Sequence, residues 1–337
     1  MSEPCAVADE VREYSAKLGA QPLLVQGAGG NVSWKDGEVL WVKASGTWLA
    51  DALNQPIFVS VDLHQLRKGL AVQDFGIKPV VLDDAGLRPS IETLLHALMP
   101  QRIVVHVHAI DVLAHLVRAD FPTSLNHASL PGMTWAAVGY YKPGAALAQA
   151  VAEALASTPD ANVVFLQSHG VVVAGDTVAE IAAILETLTN KLSTVPRPVL
   201  PLGLMEHLPL SDARGNWKPA SDPLLHQLSI DPVLFRRTQQ DWALYPDHVV
   251  FLGPSAVTID TPAAIGSLSG LPEILFIRGV GTFVAPGFNA AKQAQLRCYY
   301  DVVTRQAADE SLRGLEEQEI CELLDWDAER YRQQLAK

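Results

Sequence analysis

The sequence predicts a three-layer α/β domain on a mixed sheet, followed by a smaller α/β lobe. Three observations predict it. Helical and strand-like patterns alternate from end to end. The helices and strands are both short, as in an αβα sandwich. Strand-like runs near Asn31 are too closely spaced for crossover helices, so part of the sheet pairs antiparallel.

Residues Ala6–Leu18 form an amphipathic pattern ended by Gly19, which predicts a first helix. Gly27-Ala28-Gly29-Gly30-Asn31 predicts a tight turn between short strands, and Glu38–Lys43 a strand with mixed faces. Helices are expected over Ile91–Met99, Val112–Arg118, Ala146–Ala156 and Val178–Leu192, with two histidine-bearing strands between them. The stretch from Val195 to Pro223 is rich in proline and reads as an extended linker. Beyond it, Asp247–Leu252 and Glu273–Ile277 read as strands, Ala290–Asp309 as a long helix, and the remainder as a charged helical tail. The expected division is 1–195, linker 196–223 and second lobe 224–337.

A chain of 337 residues, 49% hydrophobic and 18% charged, has enough apolar surface for one large core or two ordinary ones. The formal net charge of −12 argues against nucleic acid or an anionic membrane as partner, since both need clustered Lys and Arg. Cys5, Cys298 and Cys321 are scattered and form no CxxC pair, so neither a disulfide framework nor a thiolate metal site is expected. The polar start and the lack of a long apolar run predict a cytoplasmic protein without signal peptide or membrane helix.

The chemistry is concentrated in Val104-Val105-His106-Val107-His108. Side chains alternate along a strand, so His106 and His108 share one face while Val105 and Val107 point to the other. A second apolar strand, Val163–Leu166, runs into Gln167-Ser168-His169-Gly170 and can deliver a third imidazole. Three neutral imidazoles with an open fourth position are the usual ligand set of a catalytic zinc ion. Sulfur is absent from the set, so Zn²⁺ is the expected ion, with cobalt, manganese and iron as alternatives. Glu92, in Arg88-Pro89-Ser90-Ile91-Glu92, opens a helical run into the His106 strand. It reads either as an acid favoured by a helix N-terminus or as a general base or acid beside the metal. The Gly27–Asn31 turn is no dinucleotide fingerprint, because a strand follows it; it is a hairpin turn or an anion-holding nest. Lys43-Ala44-Ser45-Gly46-Thr47 ends a strand and opens a helix, offering N–H groups and hydroxyls to an anion, or serving only as a cap.

The order Gly30-Asn31-Val32-Ser33, Lys43-Ala44-Ser45-Gly46, Pro89-Ser90-Ile91-Glu92, His106-Val107-His108, Ser168-His169-Gly170 resembles the class II aldolase/adducin family, over roughly Glu10 to Thr194. Leu40–Lys43, Arg88–Glu92 and Tyr245-Pro246-Asp247-His248-Val249-Val250 look most like the aldolase half of bifunctional rhamnulose-phosphate aldolase/dehydrogenases. The resemblance implies a class II aldolase-like αβα domain and a zinc aldolase of the fuculose-phosphate type. Such an enzyme cleaves a ketose, expected as a ketose 1-phosphate, through a metal-stabilised enediolate. His106, His108 and His169 would be its ligands and Glu92 its acid/base, while Asn31, Ser45, Gly46 and Ser90 match positions that hold the substrate phosphate. Lys43 is the nearby cation. The resemblance also implies a homo-oligomer, a tetramer in the commonest case, with a small sugar or sugar phosphate as substrate. Two positions depart from the family pattern. Ile91 stands where a second serine often precedes the glutamate. The family's tyrosine proton donor has no counterpart in Thr123–His127, which offers His127 instead; Tyr140 and Tyr141 are further candidates. The same scaffold also serves epimerases, dehydratases and decarboxylases, and non-catalytic adducin-like interaction modules.

Overall fold

The structure, a computed structural model, describes residues 6–83, 86–127, 129–201, 210–212, 215–268 and 270–335. Seven strands make the first sheet: β1 Asn31–Asp36, β2 Val39–Lys43, β3 Phe58–Asp62, β4 Ile103–Val107, β5 Trp135–Val138, β6 Val163–Leu166 and β7 Gly170–Gly175. Their order is β3-β2-β1-β4-β7-β6-β5, with only β5 and β6 parallel, so the sheet is mixed as expected. Helices α1 (Ala6–Gly19), α2 (Leu63–Ala71), α3 (Thr93–Leu98), α4 (Ile110–Leu116), α5 (Ala145–Ser157) and α6 (Val178–Lys191) cover its faces.

The alternation along β4 divides these layers. Val105 and Val107 join an apolar cluster with Val11, Leu113 and Ile181 from α1, α4 and α6. Val104 packs on the other face against Leu95 of α3 and Val151 of α5, while Leu40 and Val59 meet Leu66 of α2. One strand thus buries both faces, and the histidine at its end emerges on the α3 side.

The second lobe holds β8 (Leu210–Asp212), β9 (Gly215–Pro219), β10 (Thr258–Ile259), β11 (Ile274–Ile277) and β12 (Gly281–Val284), in the order β10-β11-β12-β9-β8. Its helices are α7 (Gln227–Ile230), α8 (Pro232–Gln240), α9 (Pro246–Leu252), α10 (Ala290–Val303), α11 (Glu317–Leu324) and α12 (Asp327–Leu335). It shares a core with the first lobe: Trp242, Phe276 and Tyr299 belong to the same buried cluster as Val105 and Leu113.

Three local expectations are corrected. Residues 247–252 are helical: Pro246 presets the first-turn backbone angle, Asp247 complements the N-terminal dipole, and Gly253, at φ 86°, stops the helix. These signals outweigh the strand preference of Val249-Val250-Phe251. The proline-rich stretch is not wholly linker, since β9 pairs antiparallel with β12. The long helix stops at Val303, where the Thr304 hydroxyl bonds back to the Tyr300 and Asp301 carbonyls. Among the described residues no helix is long and apolar enough to cross a membrane.

Candidate functional site

The strand register builds the site. Asn31 of β1 and Val172 of β7 lie opposite His106 on β4, and His108 follows one residue past the strand's end. The β6–β7 turn then brings His169 against them. Ser168 takes the left-handed conformation in that turn, at φ 51°. Gly170 follows it at the start of β7, where its lack of a side chain matters for packing. A Cβ there would lie 2.6 Å from the Val107 carbonyl, 2.9 Å from the His108 ring and 3.0 Å from the His106 ring. Only a glycine lets β7 approach the two-histidine strand so closely.

His106, His108 and His169 are buried and converge, with ligand-capable atoms all within 4.8 Å of one another. Their ring centroids are 5.0, 4.9 and 5.5 Å apart. His106 Nδ1 lies 3.2 Å from the Val171 carbonyl, an acceptor, so a neutral ring keeps its proton there and leaves Nε2 bare. His106 Nε2 and His108 Nε2 are 3.2 Å apart, close to the ~3.3 Å edge of a tetrahedron with Zn–N bonds of about 2.0–2.1 Å. Burial pushes the pKa values of His108 and His169 down to about 3, so both rings are neutral at ordinary pH, the form in which an imidazole can donate to a cation.

Glu92 stands at the N-cap position of α3 but makes no side-chain cap bond. Its carboxylate turns inward instead, with Oε1 3.3 Å from His169 Nε2 and Oε2 3.6 Å from His106 Nε2. Asn31 Nδ2 donates to Oε2 at 2.7 Å, while Oε1 is buried without a hydrogen-bond partner. An orphaned carboxylate oxygen beside three imidazole nitrogens fits a divalent cation, which would compensate both the lone pairs and the charge.

The expected anion-holding residues line the same cavity: Asn31, Lys43, Ser45, Gly46 and Ser90 surround it with Glu92, His108 and His169. They meet because the chain after β2 pairs with residues 88–90: Ser45 N–H donates to the Arg88 carbonyl at 2.8 Å, and Ser90 N–H to that of Lys43 at 3.2 Å. The helix expected to open at Lys43–Thr47 does not form; a turn with Gly46 at φ 79° leads to a three-residue 3₁₀ segment, Leu49–Asp51. Lys43 is buried, and its ammonium donates to the carbonyls of Ala28 (3.0 Å) and Thr47 (2.6 Å). It therefore ties the glycine-rich turn to the Ser45 turn. Burial first, then the Arg332 charge, lowers its pKa to about 7. Ser90 Oγ accepts from Glu92 N–H at 3.2 Å, so part of its capacity goes to holding the turn before Glu92.

The His127 side chain lies outside the described residues, although its backbone belongs to a 3₁₀ segment, Thr123–His127. Tyr140 and Tyr141 do not line the cavity. Tyr140 packs under Arg313, and Tyr141 is 46% exposed.

Two cavity residues were missed at the level of sequence, Asp247 of α9 and Arg332 of α12. Asp247 Oδ2 is 3.6 Å from His108 Nδ1, and Oδ1 is 2.9 Å from Arg332. Burial raises the Asp247 pKa, but the Arg332 charge and His108 outweigh it and hold the carboxyl at about 2. Arg332 also pairs with Glu329 at 2.9 Å. In the sequence the segment carrying Asp247 stands out only through the resemblance and as an expected strand, and Arg332 lies in a charged tail, so neither reads as a site residue. With α12 in place the cavity measures about 30 Å³, room for a water or two and not for a sugar.

The family described as "Class II Aldolase and Adducin N-terminal domain" matches residues 9–194, more than half of the chain. An "Uncharacterized oxidoreductase YuxG" of Bacillus subtilis (strain 168) is 30% identical over 185 residues, 50% of this chain and 26% of that protein. The chain thus spans about a quarter of that curated relative's length. Among solved structures, the N-terminal class II aldolase domain of a conserved Thermoplasma acidophilum protein is 24% identical, with a TM-score of 0.47, covering 57% of this chain and 94% of that one. An L-fuculose 1-phosphate aldolase is 18% identical, with a TM-score of 0.42, covering 56% of this chain and 84% of its own. By the family match, which spans every one of the three histidines and Glu92, the chain belongs to the class II aldolase/adducin family.

Proposed function

We propose that this protein is a divalent-metal-dependent aldehyde-lyase that cleaves a ketose, phosphorylated or carrying another anionic group, into a ketone fragment and an aldehyde. The observation that carries the reading is the convergence of three imidazoles with Glu92, whose buried carboxylate is spent on no helix cap. A scaffold protein has no physical need for such a cluster, because each buried polar group without a partner costs about 1–3 kcal/mol.

His106, His108 and His169 would hold the ion, with zinc the expected occupant of an all-imidazole set. When bound, such an ion supplies Lewis-acid stabilisation of the negative charge that develops on a ketone oxygen. The protein's own groups do the rest. Glu92 moves a proton between the substrate's hydroxyl or the carbon next to the carbonyl and its own carboxylate. Asn31 fixes the rotamer of Glu92 through the 2.7 Å hydrogen bond. Ser45, Gly46 and the Asn31 turn hold the anionic group, and Lys43 keeps their two turns together. Closure by α12 keeps bulk water from the charges, which strengthens each interaction. His127 remains the candidate acid for the leaving aldehyde. Assembly as a homo-oligomer, a tetramer in the first instance, belongs to the same reading and is measured by light scattering.

The test is elemental analysis of the purified protein with a screen of metal-loaded enzyme against ketose 1-phosphates and 2-keto acids. About one ion per chain is expected, lost together with activity in His106→Ala and His169→Ala. Full occupancy in both variants would overturn the ligand set.

A further inference from the structure

The Tyr245-Pro246-Asp247-His248 segment has no part in the chemistry above, yet α9 carries Asp247 to the back of a metal-facing histidine. We propose that the second lobe is a working part of the metal centre: Asp247 is the positioning residue for His108, and Arg332 keeps Asp247 in place. This rests on the metal-site reading of the three histidines.

Four observations carry it. His108 turns Nε2 toward His106, so Nδ1 is the atom on its far side, and the group facing Nδ1 is Asp247 Oδ2 at 3.6 Å. That separation is an electrostatic contact, sufficient to favour the proton on Nδ1 and the lone pair on Nε2. The space between them is built for closeness, since a Cβ on Gly29 would stand 3.0 Å from Asp247 Oδ2 and 3.1 Å from His108 Nδ1. Asp247 is itself held on both oxygens: Arg332 donates to Oδ1 at 2.9 Å, and Gln295 Nε2 of α10 lies 3.4 Å from Oδ2. Finally, a second carboxylate, that of Glu329, fixes Arg332 from within α12, with Arg332 Nη1 at 3.0 and 2.9 Å from its two oxygens.

His106 has a different support, the Val171 carbonyl within its own sheet. The sheet thus orients one ligand and the second lobe orients another. An all-imidazole site whose outer partner comes from a separate sequence region is complete only when both lobes are docked, and α12 contributes Arg332 to it.

The experiment measures cobalt(II) and zinc(II) affinity of the full-length chain by competition with a chromogenic chelator, alongside the visible spectrum of the cobalt form. Asp247→Asn is expected to weaken affinity by about 10- to 100-fold, the usual cost of losing an outer carboxylate. Arg332→Gln should weaken it in the same direction by a smaller factor, and Asp247→Glu should recover part of the loss. Asp247→Asn with Arg332→Gln removes anion and cation together, so it keeps the test open should the single variant fold poorly. Wild-type affinity and an unchanged cobalt spectrum in Asp247→Asn, or in the double variant, would overturn the proposal. Absence of metal binding by the wild type would instead remove the metal centre itself, and this inference with it.

Discussion

Asn31 and Glu92, 61 positions apart, are joined by a 2.7 Å hydrogen bond inside the site. The bond exists because β1 pairs with β4 in the register that sets Asn31 opposite His106. Glu92→Gln is expected to retain metal and fold but to lower turnover by about 10²-fold or more, the range for losing a general acid–base group. Asn31→Ala should lower turnover by less and leave the metal bound. Turnover and melting temperature measured together decide the matter. Wild-type turnover with a lowered melting point would make Glu92 structural only.

Ser45 and Ser90 border the same cavity but do different work. Ser45 sends its N–H to Arg88 and leaves its hydroxyl at the cavity, whereas Ser90 Oγ receives the Glu92 N–H. Ser45→Ala is therefore expected to raise KM with kcat nearly unchanged, the form taken by loss of a uniform binding contact. Ser90→Ala should lower kcat as well, because it loosens the turn that aims Glu92. Steady-state kinetics, with inorganic phosphate as competitor, separates the two.

Closure of the site depends on contacts at the rim. Arg88 stacks over Tyr331 at 4.2 Å and pairs with Asp327, Lys142 stands over Trp326 at 4.6 Å, and Leu335 sits where a Gly46 side chain would be. A cavity of about 30 Å³ is too small for a ketose, so substrate entry is expected to require displacement of α12, whose Arg332 lines it. Tyr331→Ala, which deletes a cation–π contact of about 0.5–1 kcal/mol, should make a chelator strip the metal roughly 2- to 5-fold faster. Stopped-flow chelation kinetics measures this, and an unchanged rate would place the entrance elsewhere.

His248 contributes to the pH dependence of folding, in the same direction as the buried His108 and His169. It is packed between Trp242, Tyr245 and Tyr299, with ring centroids at 4.4, 5.4 and 4.8 Å, and neither ring nitrogen has a partner. Burial lowers its pKa to about 3 from the ordinary 6.5. Between those values the unfolded chain binds a proton that the folded chain refuses. The stability from keeping this ring neutral is thus complete above the unfolded pKa and is lost as pH falls. The slope from one such group reaches about 1.4 kcal/mol per pH unit. Urea unfolding of the metal-free protein from about pH 7.5 down to about pH 4.5 should show a flatter decline for His248→Phe. Parallel curves for the two proteins would exclude the assignment.

Much of this centre was legible in the chain. The alternation of Val105, His106, Val107 and His108 reports faces directly, because successive side chains on a strand must point opposite ways. The value of Gly170 lies in close approach to Val107, His108 and His106, which no local rule contains. Lys43 read as the cation near the expected anion, and the structure adds that its ammonium donates to the Ala28 and Thr47 carbonyls. Residues 247–252 were misread because β-branched content suggested a strand, while Pro246 and Gly253 set the ends of a helix.

Local backbone geometry made these features readable from the chain: the α/β class, the two-histidine strand face, the third histidine at a strand end and the carboxylate before a helix. Tertiary structure decided everything that depends on which surfaces meet. Asp247 and Arg332 reach His108 because the second lobe buries Trp242, Phe276 and Tyr299 in the same apolar cluster as Val105 and Leu113. Apolar burial is non-directional and acts between residues at any separation, so no local pattern announces which distant carboxylate it will carry to His108.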